Sequence, residues 1–176
     1  NRRFFPELKA SIDSAEKSIQ VCMYIFSFPH EKKSCVSEIL ESLGNAAKRG
    51  VKVEVVLERG FADASEDLGR KNMEAFTELR KAGASVFFDD TSVMTHAKVV
   101  VVDEAVVIGS VNWGKDALEN RNEACVVVRE PALAGLGIAR LPSNNAAPML
   151  STRDDLVRLL VDRSSEAPPV HLMYAR

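Results

Sequence analysis

Six side chains in the middle of the chain, His96, Lys98, Asp103, Ser110, Asn112 and Glu123, are of types that could do chemistry together. His96 and Lys98 flank Ala97 and lead into the valines 99–102. Side chains alternate along a strand, so this spacing of two puts an imidazole and an ammonium on one side. Ser110 and Asn112 repeat the spacing after the apolar run 105–109. Asp103 ends the four valines where a tight reversal is expected, which folds the two strands into an antiparallel hairpin whose polar groups converge. Such a set suits a phosphate diester. A neutral imidazole attacks phosphorus, a second protonates the leaving oxygen, and Lys, Asn and Ser donors hold the oxygens where negative charge builds. That scheme requires neither a metal nor a cofactor.

The spacing H-x-K-x4-D-x5-G-S-x-N, carried by His96, Lys98, Asp103, Gly109, Ser110 and Asn112, resembles the signature of the phospholipase D superfamily. Trp113, Asn122 and Glu123 extend the likeness, and the elements of residues 4–128 run in the order of one superfamily domain. The resemblance implies an α/β fold, a mixed β-sheet flanked by helices, with the six residues above as its catalytic set and His96 as nucleophile. It gives Lys98, Asn112 and Ser110 the phosphate oxygens. Glu123 fits as the carboxylate that fixes the His96 tautomer. Asp103, on the turn beyond the reactive face, suits a structural hydrogen-bonding role better than proton transfer. A lone histidine is more often a satisfied core residue, but five further matching positions outweigh that.

The signature occurs once, and two imidazoles must face one phosphate. A homodimer about a two-fold axis, with one shared site, is therefore expected. The compact single-motif form resembles the small endonuclease branch, which cleaves DNA or RNA and often prefers single strands. The alternative is a lipid hydrolase acting on cardiolipin or other phosphatidyl diesters. A third reading, of another class, is a non-catalytic phosphate-binding or assembly module.

The elements that must position these residues are legible from periodicity. Leu8, Ile12 and Ala15 mark an amphipathic helix over 6–17 with Pro6 in its first turn, and Ile19, Val21, Met23, Ile25 and Phe28 a buried strand over 18–28. Tyr24, Phe26 and Phe28 read first as packing residues and second as substrate contacts. A helix over 34–49 stops at Gly50, and a strand follows over 51–57, so the two strands are a parallel pair with a helical crossover. A surface loop over 59–70 precedes a helix over 71–82, with Met73, Phe76 and Leu79 inward, and a strand over 84–88. Asp89 and Asp90 read as a solvated loop rather than metal ligands. A helical turn is expected over 114–120 and a strand over 123–129. Residues 1–130 form the catalytic domain in this reading. Residues 131–176 form a C-terminal extension, irregular over 131–148, with one capped helix over 151–162 ended by Pro168 and Pro169.

Composition bounds the partners. The 176 residues fit one domain, and 23 basic against 25 acidic residues leave a formal charge of −2, so no global basic field attracts nucleic acid and any anion binding must be local. Cys22, Cys35 and Cys125 form no CxxC pair and no zinc spacing with the histidines, which favours a reducing, cytoplasmic compartment. His30 and His171 lack polar company and read as surface residues, and Trp113 as packing beneath the site. No run has the length of a membrane span, although the first residue is Asn1 and a removed anchor or targeting segment is compatible with the sequence.

Overall fold

A computed structural model describes residues 3–27, 33–60, 66–89, 94–129, 131 and 134, and the backbone of 170–174. Eleven elements follow one another: α1 (Phe4–Asp13), β1 (Ser18–Met23), α2 (Cys35–Lys48), β2 (Lys52–Leu57), α3 (Glu66–Lys81), β3 (Ser85–Phe88), β4 (Lys98–Val102), β5 (Ala105–Gly109), α4 (Lys115–Glu119), β6 (Ala124–Arg129) and β7 (Val170–Tyr174). The strands form one sheet in the order β3-β2-β1-β4-β5-β6-β7. β1, β2 and β3 are parallel, joined by the α2 and α3 crossovers, and every pairing from β1–β4 outward is antiparallel. The expected mixed sheet with helices is the observed architecture.

The main core lies on the helical face. Leu8 and Ile12 of α1, Val36, Ile39 and Leu43 of α2, and Ala75 and Leu79 of α3 close over Ile19, Val21 and Met23 of β1, Val53, Val55 and Leu57 of β2, and Val100 and Val102 of β4. The opposite face carries a smaller cluster of Cys22, Val56, Val101, Val106 and Ala134. Central strands are therefore apolar on both sides, as sheet interiors must be once both faces are covered. α2 begins where its sequence says it should: Ser34 accepts from the Ser37 N–H, and the Ser37 hydroxyl accepts from the Ser34 N–H, a reciprocal cap.

Several local expectations are corrected. α3 starts at Glu66 rather than 71, and its buried stripe is Leu68, Asn72, Ala75 and Leu79, while Met73 is 50% exposed. The helix is phased one residue away from the apolar pattern because a polar residue, Asn72, occupies a core position. β1 ends at Met23; beyond it only Phe26 makes a bridge, to Trp113. Asp89 is buried rather than solvated, because its Oδ1 accepts from the Arg59 N–H at 2.9 Å. The reading of 131–176 placed no strand after Pro168 and Pro169, yet Val170–Tyr174 pairs with β6. The helix expected over 151–162, the irregular stretch over 135–148, and Phe28, His30 and Asp90 lie outside the described residues.

Asp103 shows how the hairpin is tied to the rest of the sheet. It adopts φ 48° in the two-residue connection of β4 and β5, where Val102 pairs with Ala105. Its carboxylate accepts from the backbone N–H groups of Glu16, Lys17 and Ser18 at 2.8 to 2.9 Å. Partial burial pushes this carboxyl up, but the three N–H donors and the nearby Lys17 charge outweigh it and hold it below its ordinary value. Asp103→Ala should cost about 2 to 3 kcal/mol for three abandoned donors, or roughly 5 to 10 °C in thermal unfolding. A carboxylate held low stabilises the fold above its unfolded value near 3.8 and loses that contribution as pH falls through its folded value. Stability curves of wild type and Asp103→Ala should therefore converge at strong acid, separate as pH rises toward 4 and keep a constant difference above it.

Candidate active site

His96 lies in the segment just before β4, exposed, rather than within the strand. Lys98 is the first residue of β4 and only 8% exposed. The lysine stays on the side of the histidine, as alternation requires, and its chain turns back. Nζ donates to the His96 carbonyl oxygen at 2.9 Å and lies 2.9 and 3.1 Å from Nδ1 and Nε2 of the ring. An ammonium group can only donate, so a ring nitrogen that meets it must present a lone pair, and the imidazole is neutral.

Electrostatics agree with that geometry. Burial, and then the Lys98 charge, lower the His96 pKa from its ordinary 6.5. Burial also depresses Lys98 to about 8, against the opposing pull of Glu123 and Cys22. At neutral pH the pair is thus an unprotonated imidazole beside a cation that the protein solvates poorly, the state in which a cation gains most from an incoming anion. The Tyr24 ring packs on both groups, its centroid 4.2 Å from that of His96 and 4.8 Å from Lys98 Nζ. Tyr24, first read as packing, is half-buried at the site; Phe26 is the buried packing residue, edge-on to Trp113 at 4.9 Å between centroids.

Ser110 and Asn112 follow β5 instead of lying on it. The Ser110 hydroxyl donates to Glu123 Oε2 and accepts from the Ala124 N–H at 3.2 Å. The Glu123 carboxylate is thereby engaged by Ser110 within the chain, while the polar partner of the His96 ring is Lys98. Asn112 Oδ1 is buried without a donor, an orphan of the kind that collects at functional sites. Trp113 is 1% exposed beneath this corner, and its backbone N–H donates to the Ile25 carbonyl oxygen at 2.9 Å. Asp103 is at the far end of the hairpin, at the structural task described above. Among the described residues, no three His, Cys, Asp or Glu side chains gather where they could hold a metal ion.

Gly109 explains its own place in the spacing. A Cβ there would lie 2.3 Å from Cys125 Sγ and 2.6 Å from the Ala124 carbonyl oxygen. β5 and β6 can approach this closely only without a side chain at 109, and that approach brings Ser110 to Glu123.

Comparison with known proteins places this geometry. A family model described as "Cardiolipin synthase, PLD-like domain" matches residues 8–139, and the chain belongs to this phospholipase D-like family. Mitochondrial cardiolipin hydrolase of Danio rerio is 33% identical over 132 residues, 73% of this chain and 51% of that protein. The Homo sapiens protein of the same name is 30% identical over 122 residues, 66% and 41% of the two. A phospholipase D of Rickettsia conorii is 30% identical over 124 residues, 70% and 54%. The chain spans about half the length of the curated relatives it matches. Among solved structures, NucT from Helicobacter pylori superposes with a TM-score of 0.56 at 21% identity, covering 76% of this chain and 81% of that one. Phosphatidylserine synthase of Haemophilus influenzae gives 0.53 at 17%, covering 73% and 32%. Those two likenesses concern the fold.

Gly109→Ala should force β5 and β6 apart, at a cost of about 1 to 3 kcal/mol by overpacking. Cys125→Ala should restore only part of this, because the clash with the Ala124 carbonyl oxygen persists. Urea unfolding of the two single variants and the double variant checks both statements.

Proposed function

We propose that the chain is a metal-independent phosphodiesterase that cleaves nucleic acid, single strands in preference, from one site shared by two copies. The observation that carries this reading is the exposed, neutral His96 ring held against the buried ammonium of Lys98. A ring nitrogen of His96 attacks phosphorus, the bond to the leaving oxygen breaks, and a protonated His96 of the partner subunit gives that oxygen its proton. Water then attacks the phosphohistidine and passes its proton to the same imidazole, releasing a monoester. Lys98 and Asn112 bind the non-bridging oxygens and Ser110 adds a hydrogen bond. In the assembled site the Glu123 carboxylate has the task of fixing a histidine tautomer.

Nucleic acid is favoured because the exposed His96 is within reach of a polymer backbone, and pairing two copies doubles the local Lys and Arg around one groove. A second reading has its own support: curated relatives carry the name mitochondrial cardiolipin hydrolase, which makes a phosphatidyl diester the competing substrate. Among the described residues, no helix is long and apolar enough to cross a membrane. The three free cysteines, Cys22 and Cys125 buried and Cys35 half-buried, suit a reducing compartment.

The deciding experiment incubates the protein with chelator and single-stranded DNA, RNA or cardiolipin liposomes, beside His96→Asn. Scission of nucleic acid that disappears in the variant is expected. Release of phosphatidate instead supports the lipid reading, and binding without turnover supports a phosphate-binding module. Sedimentation should show a dimer, and mixing His96→Asn with wild type should lower activity more than in proportion if each site needs both rings. The pH profile should fall through about pH 8, because Lys98 loses its proton there and the anion loses its cation. Lys98→Met should lower kcat by about 10²-fold or more, the loss typical of removing a group that stabilises developing charge.

A further inference from the structure

His96 belongs to no regular element, so its position depends on what anchors the backbone around it. On its C-terminal side, the His96 carbonyl oxygen accepts from Lys98 Nζ and the Ala97 carbonyl oxygen from the Tyr24 N–H, each at 2.9 Å. On its N-terminal side, Met94 is 47% exposed, and the anchor is the Thr95 N–H, which donates to Glu58 Oε2 at 2.6 Å. Glu58 follows β2 and is 1% exposed, a burial that a carboxyl group tolerates only with partners. Its Oε1 accepts from the Gly60 N–H at 2.9 Å, and the Asp89 carboxyl is near enough for its charge to bear on it.

Asp89 follows β3, and its Oδ1 accepts from the Arg59 N–H at 2.9 Å. Three backbone N–H groups thus serve three of the four carboxyl oxygens, and Asp89 Oδ2 is buried with no such donor. Burial pushes Glu58 up, the Gly60 and Thr95 N–H groups oppose this, and the Asp89 charge adds to the rise. The Cys22 thiol, pushed up to about 12 by burial and by these two carboxyls, and the Lys98 ammonium are the other titratable groups felt in this corner.

Asn72 extends the same assembly. It is 0% exposed, and its Nδ2 donates to the Glu58 and Tyr24 carbonyl oxygens at 2.7 and 2.8 Å while Oδ1 accepts from the Phe26 N–H at 2.8 Å. One buried polar cluster therefore fixes both the backbone that carries His96 and the backbone that carries the ring packed on it.

We propose that Glu58 is a positioning residue for the reaction at His96, acting through the Thr95 N–H and braced by Asp89. The proposal rests on the reading of His96 as the nucleophile of a phosphodiesterase. Glu58 touches no substrate in this arrangement; it sets where the imidazole stands.

The test begins with wild-type protein. The Thr95 amide should exchange with deuterium on the order of 10²-fold more slowly than that of exposed Met94, as an amide bonded to a buried acceptor does. Equal exchange at the two amides overturns the proposal. Hydrolysis of bis(p-nitrophenyl) phosphate is then compared for wild type, Glu58→Ala and Glu58→Gln, with circular dichroism to establish folding. Glu58→Ala should lower kcat about 10- to 100-fold with KM changed less than about twofold, the signature of a displaced reacting group. It should also release Thr95 to free exchange. Glu58→Gln, whose amide oxygen can still accept from Thr95, should recover most of kcat and of the Thr95 protection. A folded Glu58→Ala variant with wild-type kcat overturns the proposal, and so does a Glu58→Gln variant as slow as alanine, since that assigns Glu58 a charge or proton role. If Glu58→Ala does not fold, wild-type exchange and Glu58→Gln decide. If wild type hydrolyses no diester, the phosphodiesterase reading fails, whereas Thr95 exchange in wild type and Glu58→Gln still judges the clamp.

Discussion

Holding the Lys98 ammonium against a neutral imidazole is a costly arrangement, and the surrounding structure can be understood as what makes it stand. The cation is nearly buried and the ring is open to solvent, so the lysine cannot relax outward without leaving the histidine. Its Nζ is satisfied by the His96 carbonyl and ring and by the face of Tyr24, a set of acceptors without a full negative charge in direct contact. An anion that arrives there meets a cation whose solvation is incomplete. That is a sound basis for stabilising charge that develops during a reaction, because little reorganisation is needed at that moment.

Two supports hold the pair in place from opposite directions. From the hairpin side, Asp103 ties the β4–β5 turn to the start of β1, and Gly109 lets β5 lie close on β6. From the parallel side, the ends of β2 and β3 contribute Glu58 and Asp89, and α3 contributes Asn72. Polar groups at the carboxyl ends of parallel strands are a recurring source of sites in α/β folds. Here they lie one layer behind the reactive side chains.

Much of this was legible in the sequence, and the misses share a cause. Local patterns announced the helices, the hairpin, the turn at Asp103 and the placing of Lys98 beside His96, since alternation and spacing are read along the chain. Long-range compensation is not. Asn72 occupies a core position of α3, which displaced the apparent apolar stripe onto Met73, a residue that is half exposed. Asp89 looked like a solvated loop residue because nothing nearby in sequence reveals that the Arg59 N–H waits for it just past the end of β2. Glu58 drew no notice for the same reason. Tyr24 resembled its near neighbour Phe26, yet beyond the end of β1 one ring meets His96 and the other Trp113.

The outermost ladder has a consequence for how the protein behaves in concentrated solution. β6, Ala-Cys-Val-Val-Val-Arg, is rich in β-branched residues and poor in charge, the composition that recruits foreign strands when its hydrogen-bonding edge is bare. Val170–Tyr174 occupies that edge over the full register from Ala124 to Val128. The segment thus moves the sheet's free edge outward by one strand, and whatever loosens it bares the three valines of β6 to any strand that can pair with them.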